Sequence, residues 1–330
     1  MGYAAAPWTF TGRALYQLSL VKADEARKYV PPELKLVEFF GYTLGGVYLA
    51  RYDGSPAGSF DECVAMAGLV WNPPTSCAWA ARVYVSNGEA RDHGVRSVGL
   101  PSRLAAFEPL RHAASSSKAW WTRGGSKESG RERSSSSSSS RSGSGSRESS
   151  SGGSGGSGGR ESSSSGRGGG GEEVALINVD RGRRGLPHRP VAVFQLPALP
   201  AGGFLGPRLR LSLPSFSGGT AEHPGLLQYS CDLATRVMPV APMRVLLPDS
   251  HEAAGSGGRG GRGAAPAAAA AGRAPHPEVL DLLLNGWPLA CLAFSDMVMR
   301  VEEPTRLTLP APSEKQHALP ALAAVLPQKR

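Results

Sequence analysis

The sequence has 330 residues and a formal net charge of +9, and 40% of its residues are hydrophobic. A chain of this length can form one large domain or two ordinary ones. No apolar run approaches the ~20 residues that a membrane-spanning helix needs. The most apolar stretch, 279–294, is interrupted by Asp281, Asn285 and Pro288. We therefore expect no transmembrane segment.

Two segments contain too few apolar residues to fold. Residues 113–173 are mostly Ser, Gly and Arg, and residues 251–276 are mostly Gly, Ala and Arg. Because such segments cannot bury enough apolar surface to offset the entropy of ordering, we expect both to be disordered inserts. They would interrupt a single domain over 7–308, and a flexible C-terminal tail would follow over 309–330.

The positive net charge does not by itself indicate a nucleic-acid partner. Both inserts contain more basic than acidic residues, so much of the charge lies outside the predicted domain. The domain has no basic stripe interleaved with aromatic residues. The tract GSGGRGGRG at 255–263 resembles RNA-binding segments, but such tracts also arise as compositional filler. We expect no nucleic-acid partner.

The four cysteines show no spacing that is typical of a metal site. Cys63, Cys77, Cys231 and Cys291 form no CxxC pair and lie in apolar, strand-like segments. Buried, reduced thiols are typical of such positions, and they favour an intracellular compartment. We expect no metal and no other cofactor. The N-terminus shows no signal or transit peptide, because strand-like sequence begins by Leu15.

The predicted elements are mostly strands. Residues 13–22 alternate like a half-buried strand, and a short helix follows in the segment 23–34, where Pro31 and Pro32 stop it. The spacing of Ser86 and Glu89 predicts a capping box and a second short helix. The other predicted strands are two within 34–52, then 62–71, 78–85, 174–179, 190–196, 207–213, 229–240, 243–248, 279–286 and 289–303. This pattern predicts a β-rich α+β domain rather than a doubly wound parallel sheet.

Glu62 is the first candidate for chemistry, because it begins the otherwise apolar strand ECVAMAGLVW. A carboxylate at such a border can be half-buried with a raised pKa and can then transfer protons. The alternative is a solvated strand end beside Asp61, which the local sequence favours.

The stretch WNPPTSCAW at 71–79 is the second candidate. Trp71 and Trp79 flank a rigid Pro-Pro turn, and Asn72 precedes it. Such a turn can line an apolar ligand pocket with Asn72 as a polar anchor. The alternative is a packed turn between core tryptophans, which the local sequence favours.

The stretch VGLPSRLAAF at 98–107 is the third candidate. Gly99, Leu100 and Pro101 predict a tight turn after the second helix, and Ser102 and Arg103 follow it. An ordinary connection between a helix and a strand is the alternative.

Several segments resemble known proteins. The order of ADEARKYVPPEL, ECVAMAG and GLPSRLA resembles the acetoacetate decarboxylase superfamily, and the whole chain resembles the neoxanthin-deficient proteins of plants and algae more closely. The segments that carry this resemblance are PWTFTGRALYQLSLVKA, EFFGYTLGGVYLARYDGSPAGSFDE, GLVWNPPTSCAWAARVYV, HGVRSVGLPSRLA and LPSFSGGTAEHPGLLQYSC. The resemblance extends from Pro7 to about Arg306 and implies an acetoacetate decarboxylase-like antiparallel β domain with few short helices.

The resemblance also implies that the decarboxylase chemistry is lost. Those enzymes form a Schiff base on a lysine that follows a Gly-Phe-Pro turn, and a second cationic group lowers the pKa of that lysine. Ser102 and Arg103 occupy the two lysine positions here. Ser102 cannot form an imine, and Arg103 stays charged. Glu62 matches the catalytic glutamate of the superfamily, whereas its substrate-binding arginine would fall near Leu20 and is absent.

What remains implied is a role in forming neoxanthin from violaxanthin, and two hypotheses follow. In the first, the protein is a xanthophyll-binding or accessory factor, a pseudoenzyme that works with carotenoid enzymes. In the second, it is an isomerase-like enzyme in which Glu62 transfers the proton and Arg103 donates a hydrogen bond to oxygen. The resemblance implies a plastid location, with the cytoplasm as the alternative. The expected ligand-binding residues are Trp71, Asn72, Trp79, Pro101, Ser102 and Arg103.

Overall fold

The computed structural model describes residues 3–111, 121, 172–178, 190–199, 206–246 and 286–307. Most of the two predicted inserts and all of the predicted tail lie outside these residues. Three residues of the first insert are described, and all three are buried: Trp121, Glu172 and Glu173. Glu173 begins a strand. The backbone NH of Trp121 donates to the Glu172 carboxylate at 2.9 Å.

Thirteen strands and two short helices form the described part of the chain. The first half contains β1 (Trp8–Lys22), α1 (Ala23–Arg27), β2 (Lys35–Leu36), β3 (Tyr42–Gly54), β4 (Phe60–Asn72), β5 (Thr75–Val85), α2 (Gly88–Arg96) and β6 (Ser102–Arg111). The second half contains β7 (Glu173–Asn178), β8 (Ala192–Gln195), β9 (Arg208–Gly218), β10 (Leu226–Val240), β11 (Arg244–Leu246), β12 (Trp287–Val301) and β13 (Thr305–Arg306). The β-rich prediction with few short helices is confirmed.

The strands belong to one sheet in the order β11-β8-β7-β6-β5-β4-β3-β1-β12-β10-β13, with β2 paired to β4 and β9 paired to β10. All described pairs are antiparallel except β5 with β6, which α2 connects in parallel. The sheet curls, so that β9 contacts β5 although β10, β12, β1, β3 and β4 separate them along the sheet. The curled sheet therefore has a concave face on which a ligand can be enclosed.

Alternation along the strands divides the buried side chains into two clusters. We call the cluster on the concave face the cavity-wall cluster and the cluster on the opposite face the second core. On β4, Phe60 belongs to the cavity-wall cluster and Cys63 belongs to the second core. The cavity-wall cluster includes Phe10, Tyr52, Val85, Leu233 and Phe294. The second core includes Leu15, Leu49, Trp79, Leu176 and Phe194. Each central strand therefore contributes to both clusters.

Gly46 allows β3 to pass close to β1. Its φ is +139°, a value that side-chain-bearing residues rarely adopt, and a Cβ atom here would overlap the carbonyl oxygen of Gln17. Gly45 is confined on the other side, because its Cβ would lie 2.6 Å from the carbonyl oxygen of Met66 on β4. The two glycines therefore set the close spacing at the centre of the sheet.

Candidate functional site

A cavity of about 440 Å³ lies on the concave face of the sheet. This volume is in the range of small-molecule binding sites. Its walls are mostly aliphatic and aromatic side chains from β1, β3, β4, β5, β9, β10, β12 and α2. Leu209, Leu211 and Leu213 line the cavity although each is about 40% exposed, so β9 forms its opening.

Glu62 lies in this cavity rather than at a solvated strand end. The side chains of Phe60, Glu62 and Val64 alternate onto the cavity side of β4. Asp61 is on the other side of the strand, where Arg51 approaches its carboxylate at 3.5 Å. The strand period of two residues therefore separates two adjacent carboxylates into different environments.

Burial raises the pKa of Glu62 from 4.5 to about 7. One hydrogen bond acts in the opposite direction, because the Tyr52 hydroxyl donates to Oε2 of Glu62 at 2.8 Å. The desolvation of the charged carboxylate outweighs this bond. Glu62 can therefore exist in both protonation states near neutral pH, which is the property that a proton-transfer group needs.

Two tyrosines accompany Glu62, and the sequence analysis did not identify them. The hydroxyl oxygens of Tyr48 and Tyr52 are 3.4 Å apart, and the Tyr48 hydroxyl donates to Sδ of Met297 at 3.4 Å. Burial raises the pKa of both phenols, so both remain neutral donors. Their spacing of four residues on a predicted strand indicates one shared face, and this signal was available in the sequence.

His93 on α2 is a further cavity residue that the sequence analysis missed. The helix begins after Asn87, whose Oδ1 accepts a hydrogen bond from the Ala90 backbone NH at 3.1 Å. The predicted capping residue, Ser86, instead accepts from the backbone NH of Asp61 at 2.8 Å. Burial lowers the pKa of His93 to about 4, so its imidazole is neutral at physiological pH.

The turn after α2 brings Ser102 to the same cavity as Glu62. Ser102 is 4% exposed and lines the cavity. The φ of Gly99 is +71°, which favours glycine, and a Cβ atom there would lie 2.8 Å from Cδ1 of Leu227. The turn is held against the end of β9, because the backbone NH of Gly218 donates to the Gly99 carbonyl at 3.0 Å.

The other predicted site residues do not line the cavity. Trp79 is buried in the second core, and its Nε1 donates to the backbone carbonyl of Tyr29 at 2.8 Å. Trp71 is 41% exposed, and the carbonyl of Asn72 accepts a bond from the Thr75 hydroxyl at 3.2 Å. Pro101 and Arg103 are also absent from the lining.

Arg103 follows Ser102 on β6 and therefore faces the other way, where its side chain is exposed. The hydrogen bond suggested for Arg103 consequently has no geometric basis in the cavity. The structure thus brings together only Glu62 and Ser102 of the predicted set.

The described residues include three lysines, and none of them lines the cavity: Lys22, Lys28 and Lys35. Within the described ranges, no group of three or more His, Cys, Asp and Glu residues could hold a metal ion. The four cysteines are free thiols, and burial raises the pKa of each. Neither helix in the described part is long and apolar enough to cross a membrane.

Solved structures that align with this chain include an acetoacetate decarboxylase-like enzyme from Sphingomonas wittichii RW1, with a TM-score of 0.47 and 15% identity over 93% of this chain and 94% of that one. Acetoacetate decarboxylase from Legionella pneumophila aligns with a TM-score of 0.48 and 10% identity over 93% of this chain and 90% of that one. No family model matches the chain.

The similarity to three plant proteins is much higher. Protein NEOXANTHIN-DEFICIENT 1 of Oryza sativa subsp. japonica is 40% identical over 312 residues, which are 94% of this chain and 91% of that protein. The protein of the same name from Solanum lycopersicum is 38% identical over 93% of this chain and 94% of its own length. That from Arabidopsis thaliana is 40% identical over 73% of this chain and 74% of its own length. The resemblance found in the sequence is therefore confirmed, and this chain belongs to the NEOXANTHIN-DEFICIENT 1 family.

Proposed function

We propose that this protein acts in the formation of neoxanthin from violaxanthin and binds a xanthophyll in its cavity, as an accessory or carrier factor. The observation that carries the proposal is an apolar cavity of about 440 Å³ with Glu62 among its few polar groups. The names of the relatives supply the pathway, since all three are called neoxanthin-deficient.

The chemistry of a xanthophyll matches this cavity. A xanthophyll is a long hydrocarbon with oxygen groups on its terminal rings, so it needs apolar walls and a few polar anchors. Glu62 and Tyr52 supply hydrogen-bonding atoms on one wall. Leu209, Leu211 and Leu213 form an apolar opening through which the rest of a long molecule can extend. One end of the pigment would lie inside the cavity.

The residues of the turn argue against the chemistry of the decarboxylases. Ser102 lines the cavity, and the sequence resemblance implies that it occupies the position of the imine-forming lysine of the superfamily. A serine hydroxyl cannot form a protonated imine, which is the electron sink of that reaction. The cavity is thus better suited to binding than to Schiff-base decarboxylation.

The test of binding uses the purified full-length protein incubated with violaxanthin-containing liposomes, followed by re-isolation and pigment chromatography. The wild type should retain violaxanthin. Leu211→Arg should weaken retention at least about tenfold, because a charge at the opening would be desolvated by the apolar ligand. Leu110→Arg is the matched control, since both leucines are 41% exposed and Leu110 does not line the cavity.

A control variant that loses as much binding as Leu211→Arg would contradict a cavity-bound pigment. A wild-type protein that retains no pigment would contradict the binding proposal altogether.

The second candidate function is that of an isomerase acting on an epoxycarotenoid. The observation that favours it is Glu62, with a pKa of about 7 and a hydrogen bond from Tyr52 inside the cavity. Conversion of violaxanthin to neoxanthin is an isomerisation. A proton is added to the epoxide oxygen as a C–O bond breaks, and a proton is lost from carbon as the allene forms. A single carboxyl group can deliver the first proton and accept the second.

Glu62→Gln separates the two functions, because the amide keeps the shape of the side chain but transfers no proton. An enzyme should lose neoxanthin formation by at least about a hundredfold while still binding violaxanthin, since acid–base catalysis contributes about that factor or more. The readout is neoxanthin formed in the liposome incubation. Glu302→Gln is the control, because Glu302 lies on the surface beside Arg300. Neoxanthin formation that survives in Glu62→Gln would exclude Glu62 as the proton-transfer group.

A further inference from the structure

The turn after α2 leaves one hydroxyl group of the cavity wall without a partner. Ser102 is 4% exposed and lines the cavity. Its backbone NH donates to the Leu100 carbonyl at 2.8 Å, but its Oγ has no hydrogen-bond partner among the described residues. Unlike the two ring nitrogens of His93, this Oγ is not sealed from the cavity. Because buried polar groups are nearly always hydrogen-bonded, this hydroxyl indicates a partner that enters the cavity.

The neighbouring polar groups are already bonded or enclosed. Tyr3 lines the same part of the cavity, and its hydroxyl is hydrogen-bonded to Ser55. The two ring nitrogens of His93 have almost no accessible surface, because the ring is packed between Tyr3 and Trp8. The residues of α2 and the turn that also line the cavity have no polar side chain: Ala90, Gly94, Val98 and Leu100. Ser102 is therefore the side chain through which this part of the wall can bind an oxygen atom.

The close approach of α2 leaves little free space around this hydroxyl. A Cβ atom on Gly94 would lie 2.5 Å from Oγ of Ser102, so the helix needs a glycine here for the serine side chain to keep its place. The Oγ atom is thus confined between the helix and the cavity. Its position is set before a ligand arrives, which reduces the entropy cost of binding.

The register of the sheet places Ser102 near Glu62 on the same wall. Ser102 pairs with Val83 on β5, and Val83 pairs with Val64 on β4. Glu62 lies two residues before Val64, and all four residues line the cavity. With about 4.8 Å between strands and about 3.3 Å per residue, the Cα atoms of Ser102 and Glu62 would be about 12 Å apart in a flat sheet. The concave curvature brings side chains that point into the cavity closer together than this.

One substituted ring can bridge these two positions. A serine hydroxyl both donates and accepts, so it can pair with an alcohol. A protonated Glu62 can donate to an oxygen that has no hydrogen of its own, such as that of an epoxide. Each end ring of violaxanthin carries one hydroxyl group and one epoxide, and a hydrogen bond of about 2.8 Å at each oxygen extends the span of the ring. The two polar positions therefore match the two oxygens of one end ring.

We propose that Ser102 binds the hydroxyl group of a xanthophyll end ring while Glu62 faces the epoxide oxygen of the same ring. This inference rests on the proposed function, because it names the part of the pigment that the cavity recognises. Ser102 is then a specificity-determining residue, which distinguishes epoxycarotenoids with a ring hydroxyl group from those without one. Two anchors on different strands, β4 and β6, also fix the orientation in which the ring enters.

The test compares violaxanthin with the diepoxide of β-carotene, which has the same skeleton and epoxides but no hydroxyl groups. Both pigments are delivered to the full-length protein in the same detergent, and binding is followed by quenching of tryptophan fluorescence. The wild type should prefer violaxanthin about tenfold, and Ser102→Ala should abolish this preference, because one hydrogen bond is lost for violaxanthin only. Since Oγ has no partner in the protein, Ser102→Ala should unfold at the same urea concentration as the wild type or at a higher one.

Two further variants make the result specific. Ser215→Ala removes a hydroxyl that lines the cavity but already donates to Sγ of Cys231, at 3.7 Å, and it should leave the preference unchanged. Tyr229→Phe removes the hydroxyl of a phenol elsewhere on the wall, and it should also leave the preference unchanged.

Three results would overturn the assignment of Ser102 while leaving an apolar binding cavity. These are a wild type that binds both pigments equally, a preference that survives in Ser102→Ala, and a preference lost in Tyr229→Phe instead. Marked destabilisation of Ser102→Ala would contradict the free hydroxyl on which the assignment depends. A wild-type protein that binds neither pigment would overturn both this inference and the proposed function.

Discussion

Between pH 4 and pH 8, the free energy of unfolding of the wild type is expected to fall by about 3 kcal/mol relative to that of Glu62→Gln. In the folded protein, burial raises the pKa of Glu62 from 4.5 to about 7. Below the pKa of Glu62 in the unfolded chain, the carboxyl group is protonated in both the folded and the unfolded state. The difference in unfolding free energy between the two proteins is then constant. Between the unfolded-state and the folded-state pKa, only the folded protein keeps this proton, so the stability of the wild type falls as the pH rises. Above the pKa of Glu62 in the folded protein, the carboxylate is charged in both states and the full cost of burying that charge is present.

The measurement is urea unfolding of both proteins at several pH values, with the difference plotted against pH. Asp61→Asn provides a comparison, because burial raises the pKa of Asp61 from 3.8 only to about 6 and Arg51 opposes the shift. The difference in unfolding free energy between Asp61→Asn and the wild type should become constant at a lower pH than the difference for Glu62→Gln. A flat difference for Glu62→Gln would mean that the carboxyl group ionises in the folded protein as it does in water, which contradicts its placement in the cavity.

Gly46→Ala is expected to destabilise the fold by about 3 kcal/mol or more. The φ of +139° strains any residue with a side chain, and the added methyl group would overlap the backbone of β1 at Gln17. Neither strand can move away easily, because β3 is paired with β1 on one side and with β4 on the other. Thermal or urea unfolding measures the loss.

Gly88→Ala is the matched control. Gly88 is the first residue of α2, and a Cβ atom there would meet nothing within 4 Å. Because alanine favours a helix by up to about 1 kcal/mol over glycine, this variant should be neutral or slightly stabilised. Equal losses in both variants would show that the narrow spacing at Gly46 is not required for the fold.

The strands could be predicted because their alternation is a local property of the sequence. Residues 62–71 and 78–85 were expected as strands and lie within β4 and β5. The first helix was overestimated, since the sequence predicts a helix that continues to Pro31, whereas α1 covers only Ala23–Arg27. The curling of the sheet that brings β9 against β5 depends on contacts between distant residues, and no local pattern encodes those contacts.

The sequence indicated Glu62 at the border of an apolar strand and Ser102 after a tight turn, the family resemblance matched both to the decarboxylase site, and both line the cavity. Arg103 was matched by the same resemblance, but its side chain is exposed outside the cavity. Trp71 and Trp79 were chosen for their chemistry, but the strand period turns Trp79 away from the cavity. His93 escaped notice because an isolated histidine has no distinctive spacing, and only the fold shows that its nitrogens lack partners.

The separation of the cavity-wall cluster from the second core has a consequence for evolution. A substitution at a cavity position of β4 alters the ligand-binding surface, while neighbouring residues keep the fold intact on the other face. A single-residue insertion near Glu62 would instead exchange the two faces, because every following side chain would reverse its direction. Natural variation in this strand should therefore consist of substitutions rather than insertions. A scaffold built in this way can acquire a new small-molecule ligand while its fold is preserved.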